Sequence, residues 1–289
     1  MKTVKRIDIV SLLILIFIGI FTVICVAPIV HITALSFSSN SAIFGSKVAF
    51  WPVEPNVKAY NAILSDPSML YALAYTIVLT LIATSISMIL SVSAAYALSK
   101  KRLKHRSVFM IFIIITMYFS GGIIPDYLLI KNLHMLNTMW CLILPGAISA
   151  YNMIILKSFF QEIPESIEES AYIDGANDLT ILIKIILPLS GPVLATISLF
   201  YAVGRWNYFQ DALFYITKQE LYTLQLKLYN IIKLNRALNV SAVEGISGSS
   251  LPESVKASVI VFATLPILIV YPWLQRYFIK GVMIGGIKG

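Results

Sequence analysis

The sequence predicts an all-α integral membrane protein with six transmembrane helices, and three observations carry that prediction. Hydrophobic residues make up 58% of the 289-residue chain and charged residues only 12%, where a soluble domain averages roughly one half and one quarter. Mean hydropathy is +0.84. Marking every Asp, Glu, Lys and Arg leaves six charge-free windows, 9–46, 67–99, 107–125, 132–156, 185–204 and 257–275, each able to supply the ~20 apolar residues that cross a bilayer core.

Taken in order, the first window follows Lys2, Lys5 and Arg6 and so resembles a secretory signal. Ile9 to Leu35 far outruns an ordinary signal core, however, and reads as an uncleaved first helix after a short segment 1–8. A first outer loop spans about 40–66 with Trp51, Pro52 and Pro55, and a second spans about 215–255, ending in the small, polar stretch Ser241 to Ser250. Within the second, Leu224, Leu228, Ile231, Ile232 and Leu238 recur at helical intervals over Leu221 to Leu238, which predicts an amphipathic helix that either caps the bundle or docks a partner. The longest inner connection runs over about 158–187. The whole of 9–289 is thus expected to form one six-helix domain.

Orientation follows from the basic residues. With a cytoplasmic N-terminus the inner segments hold Lys2, Lys5, Arg6, the run Lys100, Lys101, Arg102, Lys104 and Arg106, then Lys157, Lys184, Arg276, Lys280 and Lys288. This inner excess obeys the positive-inside rule and places both termini in the cytoplasm. A net charge of +8 raises nucleic acid as a partner, but the basic residues flank helices and interleave with no aromatic patch, so membrane lipid headgroups explain them. Cys25 and Cys141 both fall inside predicted spans and read as packing residues, not metal or redox groups. His31, His105 and His134 are scattered, and no metal site is expected.

One segment is not membrane-like. Six of the fourteen acidic residues, Glu162, Glu165, Glu168, Glu169, Asp174 and Asp178, crowd into the inner connection. Pro164 stands where a helix begins, carboxylates occupy its first turns and Gly175 stands where it ends. Ile163, Ile167, Ser170 and Ala171 share one face, suited to a groove on another protein; the alternative is a solvated loop that balances nearby lysines.

The spacing Glu169-Ser170-Ala171, three residues, Gly175, nine residues, Ile185, one residue, Leu187-Pro188 resembles the Glu-Ala-Ala loop of permease subunits of binding-protein-dependent ABC importers. Asp174-Gly175-Ala176, Leu187-Pro188-Leu189, Pro192, Trp206-Asn207-Tyr208-Phe209 and Tyr277 to Gly285 are similar to the carbohydrate-uptake branch containing the maltose-type permeases. Phe119-Ser120-Gly121-Gly122-Ile123-Ile124-Pro125 and Leu142-Ile143-Leu144-Pro145 resemble the subgroup that imports complex oligosaccharides in Gram-positive bacteria. The likeness covers essentially the whole chain. It implies the type I ABC importer permease fold, a multi-pass cell-membrane location, and a cytoplasmic coupling helix in which Glu168, Glu169, Ser170, Ala171, Asp174, Gly175 and Ala176 meet an ATP-binding subunit. The implied partners are a second homologous permease, two ATP-binding subunits that hold ATP and Mg, and an extracytoplasmic solute-binding lipoprotein that delivers an oligosaccharide. Ser170 departs from the family's usual first alanine, and Gln210-Asp211 stand where apolar residues are more usual.

The chain's own chemistry is sparse. None of its 14 glycines belongs to a Gly-x-x-x-x-Gly-Lys-Ser/Thr phosphate loop, so no cofactor is expected in this chain and ATP is expected in a separate subunit. No nucleophile, base and orienting group form a recognisable motif, which disfavours an enzyme. An ion- or proton-coupled secondary transporter is disfavoured too, because only Arg205 breaks the centre of a span while Asp126 and Asp211 lie near helix ends. Arg205, with Trp206, Asn207, Tyr208 and Asp211, and separately Tyr151 and Asn152, are candidates to line a sugar pathway; Arg205 can instead pair with the partner subunit or a backbone carbonyl. Pro188, Gly191 and Pro192 mark a hinge before the fifth helix.

Overall fold

The computed structural model of the chain describes residues 9–243 and 252–285, with side chains described over 9–233, 252–270 and at 272. The segment 1–8, the polar stretch beyond residue 243 up to 251, and Lys288 lie outside the described residues. Every described element is helical: α1 Ile9–Ser36, α2 Asn40–Phe44, α3 Lys58–Leu64, α4 Pro67–Ser99, α5 Arg106–Tyr118, α6 Ile123–Asn132, α7 Trp140–Ile143, α8 Ala150–Glu162, α9 Glu165–Ile173, α10 Asp178–Ile181, α11 Leu187–Leu189, α12 Gly191–Asn207, α13 Gln210–Tyr215, α14 Leu224–Val243 and α15 Glu253–Gly285.

Charge-free windows measure compatibility with lipid, and they do not measure continuity. Among the described residues three helices are long and apolar enough to cross a membrane unaided, Ile9–Ser36, Pro67–Ser99 and Glu253–Val270; counting each bent pair as one span raises the number to five. The third window breaks at Phe119 to Gly122, and α5 and α6 diverge by 113°, because Gly122 takes φ +88°, open to glycine at little cost. In the fourth window the stretch 144–149, containing Pro145 and Gly146, separates the four-residue α7 from α8. Cys141 therefore sits in a short buried turn instead of a long helix, and its thiol bonds the Thr138 carbonyl at 3.0 Å. The fifth window turns by 87° between Leu189 and Gly191, where Pro188, Gly191 and Pro192 were expected to form a hinge. A π-helical turn over Leu182–Ile186 precedes that bend and had no sequence signal. In the segment expected as the second outer loop the amphipathic helix starts at Leu224, not Leu221, which belongs to a single 3-10 turn, and it runs on to Val243.

The described chain divides into two compact units. In the unit formed by residues up to Leu70 and 228–265, a small apolar cluster gathers Ala34, Ala42 and Val48. Hydroxyls stitch its helices: Ser36 Oγ lies 2.8 Å from Tyr60 OH, Ser254 Oγ donates to Asn40 Oδ1 at 2.8 Å, and Ser258 Oγ donates to the Ser36 carbonyl at 3.1 Å. Most of α1 buries nothing, as expected of a helix that is apolar all round and faces lipid or a partner.

The unit formed by 71–227 and the residues from Pro266 onward has the larger core. Val92, Ala95, Tyr96 and Leu98 of α4 pack with Met153, Leu156 and Phe160 of α8, Ile181 to Ile186, and Ile197 and Tyr201 of α12. Ala171 of α9 joins that same core, and this placement fixes how the acidic segment meets the rest of the chain.

Candidate functional site: a clasped inner helix and a polar cavity

The acidic segment forms the short helix that Pro164 and Gly175 demarcate. Pro164 is the N-cap of α9 and Asp174 its C-cap. Beyond it Gly175 N–H bonds the Tyr172 carbonyl at 3.0 Å and Ala176 N–H bonds the Ala171 carbonyl at 2.9 Å, the paired bonds of a Schellman ending. That ending needs a left-handed residue, and Gly175 supplies it at φ +79°. Asn177 then caps α10 through Oδ1, which accepts from Thr180 N–H at 2.8 Å.

The carboxylates divide by partner. Lys100 donates to half-buried Glu168, both side chains being about one-seventh exposed at 13% and 14%, and its ammonium lies 3.9 Å from the centre of the Tyr96 ring. Lys101 and Glu165 pair at 2.9 Å in open solvent, 77% and 64% exposed. Arg102 bonds Tyr172 OH at 2.6 Å and also Asp178, to which Tyr172 OH donates. The hydrogen bond from Tyr172, joined by the hydrogen bond and charge of Arg102, holds the Asp178 carboxyl below the usual carboxylate range. Three consecutive basic residues of the α4–α5 turn thus clasp α9 and the start of α10. Lipid headgroups were the expected role for that basic run; for Lys100, Lys101 and Arg102 the partners are carboxylates of the same chain.

The expected docking face needs correction as well. Ala171 is buried in the chain's own core, with Ile163 packed against it, and Glu168 is consumed by Lys100. These residues position the helix from behind. The outward face consists of Ser166, Glu169, Ser170 and Ile173, spaced i, i+3, i+4, i+7 and all exposed, Ile173 by 86%. Glu169 has no hydrogen-bond or ion-pair partner among the described residues. The Ser170 hydroxyl donates to the Ser166 carbonyl at 2.8 Å. Asp174 and Ala176 cap the helix and do not extend that face.

The candidate pathway residues part company. A cavity of about 530 Å³ is lined by three of those candidates, Asn152, Arg205 and Tyr208, together with Ser87, Ser149, Phe200, Tyr201 and Gly204, which the sequence did not single out. A hydroxyl-bearing residue in an apolar run, such as Ser87, carries no signal of which way it faces. Tyr151 is 58% exposed and outside the cavity, the Asn207 amide donates back to the Val203 carbonyl at 3.0 Å, and buried Trp206 lines a separate apolar cavity of about 290 Å³. Asp211 supports the wall from behind: its carboxylate holds Arg205 by two bonds, that from Nη2 being 2.9 Å, in a pair whose side chains are each 10% exposed. Arg205 Nη1 also bonds the Leu142 carbonyl at 2.5 Å and Nη2 the Tyr208 carbonyl at 3.0 Å. The backbone-carbonyl alternative for Arg205 therefore describes it as well as cavity lining does.

Comparison with known proteins places these features. Residues 107–284 match the family of binding-protein-dependent transport system inner membrane components. The chain is 44% identical over 274 residues, 94% of this chain and 96% of the relative, to the polygalacturonan/rhamnogalacturonan transport system permease protein YtcP of Bacillus subtilis. It is 28% identical over 276 residues to the trehalose/maltose transport system permease protein MalG of Thermococcus litoralis, covering 93% and 94% of the two chains. A solved bacterial ABC transporter that imports the acidic polysaccharide alginate contains a chain with TM-score 0.83 and 36% identity, covering 93% of this chain and 96% of that one. The chain accordingly belongs to the binding-protein-dependent transport system inner membrane components and has the fold of an ABC importer permease.

Proposed function

We propose that this permease forms half of an oligosaccharide pathway, the other half being a second homologous permease, and that it is driven through the outward face of α9. Two separate subunits bind ATP and Mg and hydrolyse the nucleotide; this chain hydrolyses nothing. An extracytoplasmic solute-binding lipoprotein, in a Gram-positive cell membrane, delivers the cargo to the outer loops, and both termini lie in the cytoplasm. Polygalacturonan or rhamnogalacturonan fragments are the first cargo to test, on the likeness to the Bacillus subtilis permease.

The observation that carries the reading is Glu169. Its neighbours Glu165 and Glu168 are engaged within the chain, whereas Glu169 is exposed and unpartnered on a helix fixed by its own core. A carboxylate held out in this way is set to pair with a basic residue of an ATP-binding subunit.

The test is ATP-dependent uptake of labelled oligosaccharide by proteoliposomes containing the full complex. Glu169→Ala is expected to abolish uptake while the complex stays in the membrane. Wild-type uptake rates in that variant, or uptake driven by an ion gradient without ATP, would refute the proposal.

A further inference from the structure

Within the cavity bounded by α4, α8 and α12, two polar side chains are built in and left without partners. Asn152 is 7% exposed and Ser87 is 4% exposed, and both line the 530 Å³ space. Neither the Asn152 amide nor the Ser87 hydroxyl bonds any described residue. Asn152 N–H is satisfied by the Ser149 hydroxyl at 3.3 Å, so the side chain is free of the capping duty common for a residue at a helix start. Polar groups this deeply placed are paired in nearly all folded proteins, and a pair left open onto a cavity is shaped for a ligand or for water. The volume lies in the ~300–1,000 Å³ range of small-molecule sites.

The chemistry of the walls selects the ligand. An amide both donates and accepts, as does a hydroxyl, and together they match the hydroxyls of a sugar ring. Phe200 and Tyr208, both on the lining and 40% and 48% exposed, offer rings for the apolar face of a pyranose. The one charged lining residue is spent. The Arg205 Nη1 and Nη2 donors are engaged by Asp211 and by two carbonyls, and its Nε, although unpaired, is buried out of reach, so no accessible charged donor remains to claim a carboxylate.

We propose that Asn152 and Ser87, backed by Phe200 and Tyr208, form a saccharide subsite inside this subunit that reads ring hydroxyls and is blind to carboxylates. The subsite rests on the importer reading above and specifies what this half of the pathway recognises. Gly204 supplies an independent handle, since a Cβ added there meets nothing within 4 Å and a longer side chain would grow into the cavity it lines.

The experiment measures KM for ATP-dependent uptake by the reconstituted complex, with polygalacturonan oligosaccharides and with their methyl-esterified, uncharged counterparts. Asn152→Leu is expected to raise KM about 3–10-fold, as losing a hydrogen bond would, equally for the acid and the ester. Ser87→Ala is expected to raise it less. Gly204→Leu, which removes no hydrogen bond, is expected to raise KM more than 10-fold, with co-purification of the complex confirming assembly. Unaltered KM in both Asn152→Leu and Gly204→Leu, with wild-type uptake intact, overturns the subsite alone. An Asn152→Leu effect confined to the acidic oligosaccharide overturns the blindness to charge. Absence of ATP-dependent uptake in the wild-type complex overturns the importer reading and the subsite with it.

Discussion

Breaking the Lys100–Glu168 pair should cost far more than breaking the neighbouring Lys101–Glu165 pair, although the two lie one residue apart on the same turn. Both are ammonium–carboxylate contacts, but the first is 13% and 14% exposed and the second 77% and 64%. Removing one member of a buried pair strands the other charge and costs about 3–5 kcal/mol; an exposed pair contributes about 0.2–1 kcal/mol. Lys100 keeps the Tyr96 ring at 3.9 Å, a cation–π contact of about 1 kcal/mol, so about 2–4 kcal/mol is expected for Glu168→Leu. Lys100→Met loses that contact too and should cost the full ~3–5 kcal/mol. The double variant should cost less than either single change, because an apolar pair fills the site without a stranded charge. The assay is a double-mutant cycle at each pair by reversible unfolding in mixed micelles, which isolates the coupling. It should return about 2 kcal/mol at Lys100–Glu168 and under ~0.5 kcal/mol at Lys101–Glu165. Equal coupling at the two pairs would show that burial is not what strengthens the clasp.

Other consequences can be measured on the same preparations. Gly175→Ala should destabilise the end of α9 by about 1–2 kcal/mol through its φ of +79° alone, since the added methyl meets no atom; faster amide exchange at residues 174–176 would report it. Asp178 has a depressed pKa, first through Tyr172 and then Arg102. Its contribution is therefore present above the unfolded carboxyl value of about 3.9, neutral pH included, and lost as pH falls through the folded one, so Asp178→Asn should lower stability at neutral pH, converge with wild type in acid and so flatten the acid limb of the stability curve. Arg205→Met leaves the Asp211 carboxylate stranded at 9% exposure and should cost about 3–5 kcal/mol. Asp211→Asn should cost less, because two backbone carbonyls still accept from Arg205; detergent unfolding would rank the two.

Much of this was legible in the sequence because it is local. Pro164 and Gly175 delimit α9 through backbone rules that act within a turn, and Pro188, Gly191 and Pro192 mark the 87° bend for the same reason. Residues far apart escaped. Lys100 meets Glu168 across 68 positions and Arg102 meets Asp178 across 76, so the basic run was assigned to lipid headgroups, and the acidic run to a partner's groove or to unspecified nearby lysines, when these residues pair with one another. Composition could not show that the third to fifth windows are broken, since glycine, proline and a π-turn interrupt backbone bonding without adding charge. Nor could it separate Ser87, open to the cavity, from Ser91, whose hydroxyl lies 2.6 Å from Tyr201 OH.

The unbroken α4 ties these sites together mechanically. Ser87, on the cavity wall, and Ser99, beside the basic turn, belong to one helix, twelve residues and about 18 Å apart. A stiff rod gripped at the tip beside the basic turn behaves as a lever, so any displacement of the grip must reappear at the lining as a tilt, with no flexible joint between to absorb it.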